Sequence, residues 1–186
     1  MDIISHGLWG AAGYRAANVR AGARKFNLRL AAFWGVFPDL FAFSIAFVWI
    51  WWERLRGNAV PFPRPETTEP PMPDAFWPFQ LAGTLYNYSH SLVVFAVVVA
   101  LVWFVRRRVP YEMGAWLLHI LMDIPTHSYR FFPTPFLWPI SSWKFNGFSW
   151  GTPWFLALNY TSLALVYLFL WVWKRKKNKG LRDFRG

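Results

Sequence analysis

Leu118-His119-Ile120-Leu121-Met122-Asp123-Ile124-Pro125-Thr126-His127 sets two imidazoles and a carboxylate in one of the most apolar parts of the chain. A spacing of four puts His119 and Asp123 on the same face of a helix. Pro125 has no N–H for the carbonyl four residues back, so the helix should kink or stop there. His127 can then turn back toward the other two. Two imidazoles and a carboxylate gathered in this way suit a metal such as zinc. A helix with two satisfied histidines is the plainer reading. Against it, an Asp at a bilayer centre costs ~3 kcal/mol even on the lenient insertion scale, and a cation would offset that.

Working outward, the surroundings are those of a membrane protein. The 186 residues are 55% hydrophobic and 22% aromatic, and only 16% are charged. The apolar runs 28–52, 81–105 and 154–173 are each long enough to cross a ~30 Å hydrocarbon core. The expected fold is all-α: a polytopic transmembrane bundle of about five helices, with the metal site inside it. The length suits one membrane-embedded domain over 1–186. The absence of Cys excludes a disulfide framework and a thiolate metal site. The N-terminus lacks a basic n-region, so no removed signal peptide is expected.

A net charge of +11 raises the question of nucleic acid, but its distribution points to topology. If the segments alternate, fifteen Lys and Arg fall on one side: Arg15 to Arg29, Arg106-Arg107-Arg108, and Lys174 to Arg185. Five (Arg54, Arg56, Arg64, Arg130, Lys144) fall on the other. That bias puts the 106–108 turn and the basic tail, 174–186, in the cytoplasm. The tail is also expected to touch anionic headgroups of the lipid bilayer. No specific nucleic-acid partner is expected. Residues 57–80 hold half of the 14 prolines and read as an extended extracytoplasmic loop.

The four histidines and two of the five Asp lie in or beside apolar segments. A first helix, 3–18, carries His6, Gly10, Gly13 and Ala17 on one face, where small residues admit a neighbouring helix. The second, 28–52, sets Asp39 on a stripe of Ala32, Gly35, Ala42 and Ala46, just after Pro38. The third, 81–105, holds His90. The fourth runs from Tyr111 to about Ile124, an aromatic loop covers 128–153, and the last helix is 154–173. Asp39 lies eleven residues past Leu28, ~16 Å from the cytoplasmic end. His90 lies nine residues past Leu81, ~13 Å from the outer end. His6, Asp39, His90, His119, Asp123 and His127 can therefore meet at one level as metal ligands.

Ser5-His6-Gly7, Phe37-Pro38-Asp39, Tyr88-Ser89-His90-Ser91, and His119 to Asp123 with Thr126-His127-Ser128, in that order, resemble the LexA-binding, inner-membrane-associated hydrolase family. The resemblance runs from about residue 3 to residue 151. It implies a membrane-bound, metal-dependent hydrolase of the inner (plasma) membrane. The family often has Pro-Asp-x-Asp; here Pro38-Asp39-Leu40-Phe41 lacks the second Asp. The ligand order is also similar, more distantly, to zinc-dependent phospholipase C and zinc single-strand nucleases. That similarity implies hydrolysis of a phosphoester. The cofactor would be one or two divalent cations, zinc or alternatively manganese, which acidify water and polarise a phosphoryl oxygen. Asp39 or Asp123 would act catalytically, bridging metals or taking the water's proton. Arg130 is a candidate anchor for the substrate phosphate. A site in the outer half of the bilayer favours a lipid substrate.

Three other readings stand beside this one. Gly147-Phe148-Ser149-Trp150-Gly151 matches the G-x-S-x-G of serine hydrolases, but in an aromatic loop rather than a strand-turn-helix. Intramembrane His and Asp also serve ion or proton pathways, although neither a broken-helix pair nor an inverted repeat is evident. A non-catalytic membrane partner could use a metal only to staple its helices. Nothing in the sequence sets an oligomeric state.

Overall fold

The computed structural model describes residues 1–23, 25–58, 60 and 77–183. These residues form α1 (Ile3–Ala21), α2 (Leu28–Leu55), α3 (Trp77–Ser89), α4 (Leu92–Arg106), α5 (Gly114–Thr126) and α6 (Pro153–Asp183). A single 3-10 turn, Tyr111–Met113, precedes α5. No strand occurs among the described residues. Most of the Pro-rich loop expected over 57–80, and the last three residues of the basic tail, lie outside them.

Helix starts follow from local chemistry. The Asp2 carboxylate accepts from the Ser5 amide at 3.0 Å and caps α1, and Gly22 (φ 67°) closes it in left-handed backbone. The Asn27 side chain accepts from the Arg29 and Leu30 amides and caps α2. Central in the bundle, α2 packs on α1, α3 and α5, while α6 packs on α1. Its buried stripe is Ala31, Gly35, Asp39, Ala42 and Ala46, so small residues bring the neighbouring backbones close to the carboxylate. A Cβ on Gly35 would lie 2.6 Å from the His6 carbonyl oxygen, which shows how closely α1 and α2 approach.

Several expectations change. The single third helix over 81–105 is two helices, α3 and α4, bent by 64° at His90-Ser91. The Ser91 hydroxyl starts a new helix by accepting from the Val93 and Val94 amides, both at 3.1 Å. Backbone groups around the break find tertiary partners. The Leu92 amide donates to Phe136 O at 3.0 Å, and the Trp116 indole donates to Ser89 O at 2.7 Å. Such re-pairing is what permits a broken helix in an apolar setting. The small face of α1 is also shorter than expected. Gly7 and Gly10 meet α2, but Gly13 has nothing within 4 Å of a Cβ. Packed helices touch over a limited length.

The helix of His119 runs past Pro125 to Thr126 rather than ending about Ile124. So near a C-terminus, the bond that proline forfeits is close to carbonyls the helix would leave unpaired anyway. The basic tail continues α6 to Asp183, since Lys and Arg favour helix and favour its C-terminal end.

Two helices are long and apolar enough to cross a membrane, α2 and residues Pro153–Asn178 of α6. The bent α3–α4 pair makes a third if counted as one span. The expected bundle of about five crossing helices therefore reduces to two or three candidate spans within six α-helices among the described residues. With 13 residues, α5 is too short, and α1 carries polar residues along its length. Val97, Leu101, Phe104, Leu165, Leu168 and Phe169 are exposed, whereas the histidines and two Asp are buried. Apolar outside and polar inside is the distribution a bilayer requires.

The contact at Gly35 gives a direct test. Gly35→Ala should lower stability in detergent by ~1–3 kcal/mol, seen as a lower Tm, because a methyl must displace backbone. Gly13→Ala should leave Tm unchanged or raise it by up to ~1 kcal/mol equivalent.

Candidate metal centre

Three parts of the fold deliver four side chains to a common point. Asp39 comes from the small stripe of α2, His90 from the α3–α4 break, and His119 and Asp123 from consecutive turns of α5. All four are buried, and one ligand atom from each lies within 4.8 Å of the others. His119 Nε2 is 3.0 Å from His90 Nε2 and 3.2 Å from Asp123 Oδ2. His90 Nε2 is 3.4 Å from Asp39 Oδ1 and 3.5 Å from Asp123 Oδ2, and His119 Nε2 is 3.8 Å from Asp39 Oδ1. Bonds of ~2.0–2.1 Å in a tetrahedron put ligand atoms ~3.3 Å apart, and the five edges given lie near that length.

The remaining two predicted ligands gather on the other oxygen of Asp123. His6 Nε2 lies 2.9 Å and His127 Nε2 3.4 Å from Asp123 Oδ1. The Met1 nitrogen also contacts Asp123 Oδ1 and lies 3.2 Å from His127 Nε2. The six residues thus form two groups sharing the Asp123 carboxylate. Oδ2 faces His90 and His119, with Asp39 beyond them, and Oδ1 faces His6 and His127. The His6 ring stacks on the His119 ring with centroids 3.6 Å apart.

Some atoms of this cluster approach closely without hydrogen bonding, although His119 Nε2 pairs with His90 Nε2 and the Met1 nitrogen with Asp123 Oδ1. Asp123 Oδ2, Asp39 Oδ2 and both nitrogens of His6 are buried and lack a hydrogen-bond partner. Unpaired buried polar atoms are costly, and so many in one place need an explanation. No Lys or Arg side chain lies within 4.0 Å of either carboxylate among the described residues. Among the carboxylate oxygens, the Met1 ammonium serves Asp123 Oδ1 alone; a divalent cation would balance the second carboxylate and supply the partner that Asp123 Oδ2 lacks. The donor set, imidazole and carboxylate without sulfur, fits such an ion.

The far sides of the rings are fixed by groups that no motif reveals. His119 Nδ1 lies 2.7 Å from Gly35 O, and His127 Nδ1 3.2 Å from Phe131 O. A carbonyl only accepts, so in both rings Nδ1 donates, which turns Nε2 toward the cluster. His90 Nδ1 pairs with Ser89 Oγ at 2.9 Å, and Tyr86 stacks on its ring at 3.7 Å. His127 is extended (φ −119°, ψ 132°) just past α5. The loop holds it there: the Gly147 amide donates to His127 O at 2.9 Å and the Trp150 amide to Thr126 O at 3.1 Å. A Cβ on Gly147 would lie 2.5 Å from the Pro125 carbonyl carbon, so this glycine of the G-x-S-x-G match has a packing role. Ser149 Oγ accepts from the Gly151 amide at 3.3 Å and pairs with no imidazole among the described residues.

Arg130 is exposed and makes no ion pair with Asp39 or Asp123; its amide donates to Ser128 Oγ at 3.3 Å. The cluster is reached instead from a largely apolar groove of about 370 Å³. Asp39 and His127 line it together with Met1, Asp2 and apolar residues such as Phe43 and Phe131. Asp39 and His127 keep 5% and 6% exposure, while His90 and Asp123 have none.

Comparison of the chain with protein-family profiles, with curated proteins and with solved structures finds no match in any of the three.

His119→Ala and Asp123→Ala should each abolish stoichiometric zinc binding, read by elemental analysis of purified protein. Each should also lower stability by several kcal/mol, because the remaining buried carboxylate loses its counter-charge. Unchanged metal content in both variants would mean that the cluster is not the binding site.

Proposed function

We propose that the protein is a membrane-embedded, metal-dependent hydrolase acting on a phosphoester of a lipid. The observation that carries this reading is the largely apolar groove lined in part by Asp39 and His127, the two least deeply buried of the six residues. A chain-bearing substrate can lie in the groove with its polar head at the cluster, reached from the bilayer. The motif order, which resembles the LexA-binding, inner-membrane-associated hydrolases, supports the same reaction class. It also supports a location in the inner (plasma) membrane, and the Lys/Arg distribution supports a cytoplasmic basic end.

Bound in this cluster, a divalent cation, zinc or manganese, supplies Lewis-acid polarisation of the phosphoryl group and acidifies water. The chain's own residues divide the remaining work. His90, His119 and Asp123 hold and orient, each with its far side tied or buried. Asp123 has neighbours on both oxygens. Asp39 has Oδ2 unpaired and lies at the groove, so it is the residue placed to take a proton from attacking water. The groove's aromatic walls exclude bulk water. Arg130, away from the groove, is given no role in holding substrate.

A second reading has its own observation. The α3–α4 break at His90 resembles the discontinuous helices of ion pathways. A proton pathway would conduct in proteoliposomes irrespective of chelation.

The test is turnover of phosphate-ester lipids by the purified protein. Chelation should abolish it, and zinc or manganese should restore it. Asp39→Asn should reduce kcat by about 10²–10⁴-fold, the usual contribution of a general base. Ser149→Ala should retain full activity. Hydrolysis that survives chelation and stops in Ser149→Ala would contradict the proposal.

A further inference from the structure

The opposite end of the bundle carries a second cavity, remote from the His/Asp cluster. It has a volume of about 550 Å³ and lies between the end of α1, the start of α2 and the basic half of α6. Arg15, Arg29, Lys174 and Lys177 line it, with Asn18 and Asn178, and no acidic residue takes part. None of these four cations has a carboxylate within 4.0 Å among the described residues; the one Arg–carboxylate pair found there is Arg56–Glu53.

The cavity is built, not left over. Lys177 Nζ donates to Val19 O at 2.9 Å and Arg20 O at 2.7 Å, closing the last turn of α1 and fastening α6 to it. The Arg15 guanidinium sits over the Tyr167 ring, 5.7 Å from its centre. The first amides of α2 are already capped by Asn27, so the attraction comes from side-chain charge rather than from the helix end. Four like charges around one concavity repel each other and lower the local free energy of an anion.

Depth identifies the source of that anion. The apolar part of α2 begins at Leu28, and α6 turns from apolar to basic between Trp173 and Lys174. Both flank the cavity, which therefore sits where two candidate spans leave the hydrocarbon, at the level of lipid phosphates. Asp39 is eleven residues further along α2, ~16 Å away, so this site is separate from the metal centre. Four positive charges exceed what one phosphodiester neutralises. We infer that this cavity binds the headgroup of an anionic membrane lipid carrying two phosphates. Basic pockets between membrane helices are the usual setting for such headgroups.

The probe is cardiolipin, added to the full-length protein in neutral detergent and followed by native mass spectrometry and by Tm. The expected result is saturable binding of one cardiolipin per chain with a rise in Tm, and no such effect from phosphatidylcholine. Arg29→Gln/Lys174→Gln, at two exposed positions, should weaken binding about tenfold or more, given the usual worth of two surface cations. Arg106→Gln/Arg108→Gln removes as many charges from the turn after α4, outside the cavity, and should change affinity by less than about twofold. Equal losses in the two double variants would overturn the inference in favour of diffuse surface attraction. Equally tight binding of inorganic pyrophosphate would also overturn it, making the cavity a soluble-anion site. Absence of saturable cardiolipin binding would end it outright.

Discussion

Asp39 and Asp123 are buried inside a bundle whose outer surface is apolar, and neither has a Lys or Arg side chain within 4.0 Å among the described residues. The Met1 ammonium pairs with one oxygen of Asp123, so one positive charge faces two buried carboxylates, and a carboxylate left without a counter-charge would penalise the folded state by several kcal/mol. The arrangement around them answers that need geometrically. Two ring nitrogens approach Asp123 Oδ2 to 3.2 and 3.5 Å without hydrogen bonding to it, as atoms do when they point at a shared ion rather than at each other.

Much of the architecture can be understood as making room for this cluster. Gly35 lets α1 approach α2 closely enough for His6 to reach Asp123, and its carbonyl orients His119. The 64° bend between α3 and α4 turns His90 inward, and Trp116 and the 128–153 loop take up the backbone groups it frees. The end of α5 at Thr126 lets His127 fold back, while the Gly147–Trp150 segment pairs with the carbonyls exposed there. A loop that resembles a serine-hydrolase motif in letters is, in space, the strap that holds a histidine.

The helical class and the clustering could be read from the sequence because both rest on strong local signals. His119 and Asp123 share a face by spacing alone, and Asp39 lies on a stripe of small residues that has no reason to face lipid. What escaped the sequence depends on tertiary partners. The run 81–105 has no proline and its one glycine, Gly83, lies far from the bend, so it reads as a single helix. The one local sign of the break is Ser91, a good N-cap residue placed just before a Val-rich segment. The carbonyls of Gly35 and Phe131 leave no trace in a motif, since any residue has a carbonyl. Arg130 was legible as a cation near His127, but its exposure on a loop depends on a turn the sequence does not encode in an obvious way.

The two ends of the bundle differ in kind: a cluster of buried acids and imidazoles lies beside an apolar groove, and four cations line a cavity between the ends of two candidate spans. The central claim is that the His/Asp cluster is a metal centre. X-ray absorption at the zinc edge of zinc-loaded protein tests it most directly. The account predicts a first shell of nitrogen and oxygen at ~2.0–2.1 Å, outer-shell scattering from at least two imidazoles, and no sulfur. A shell of water oxygens alone, or no zinc retained after gel filtration, would contradict it.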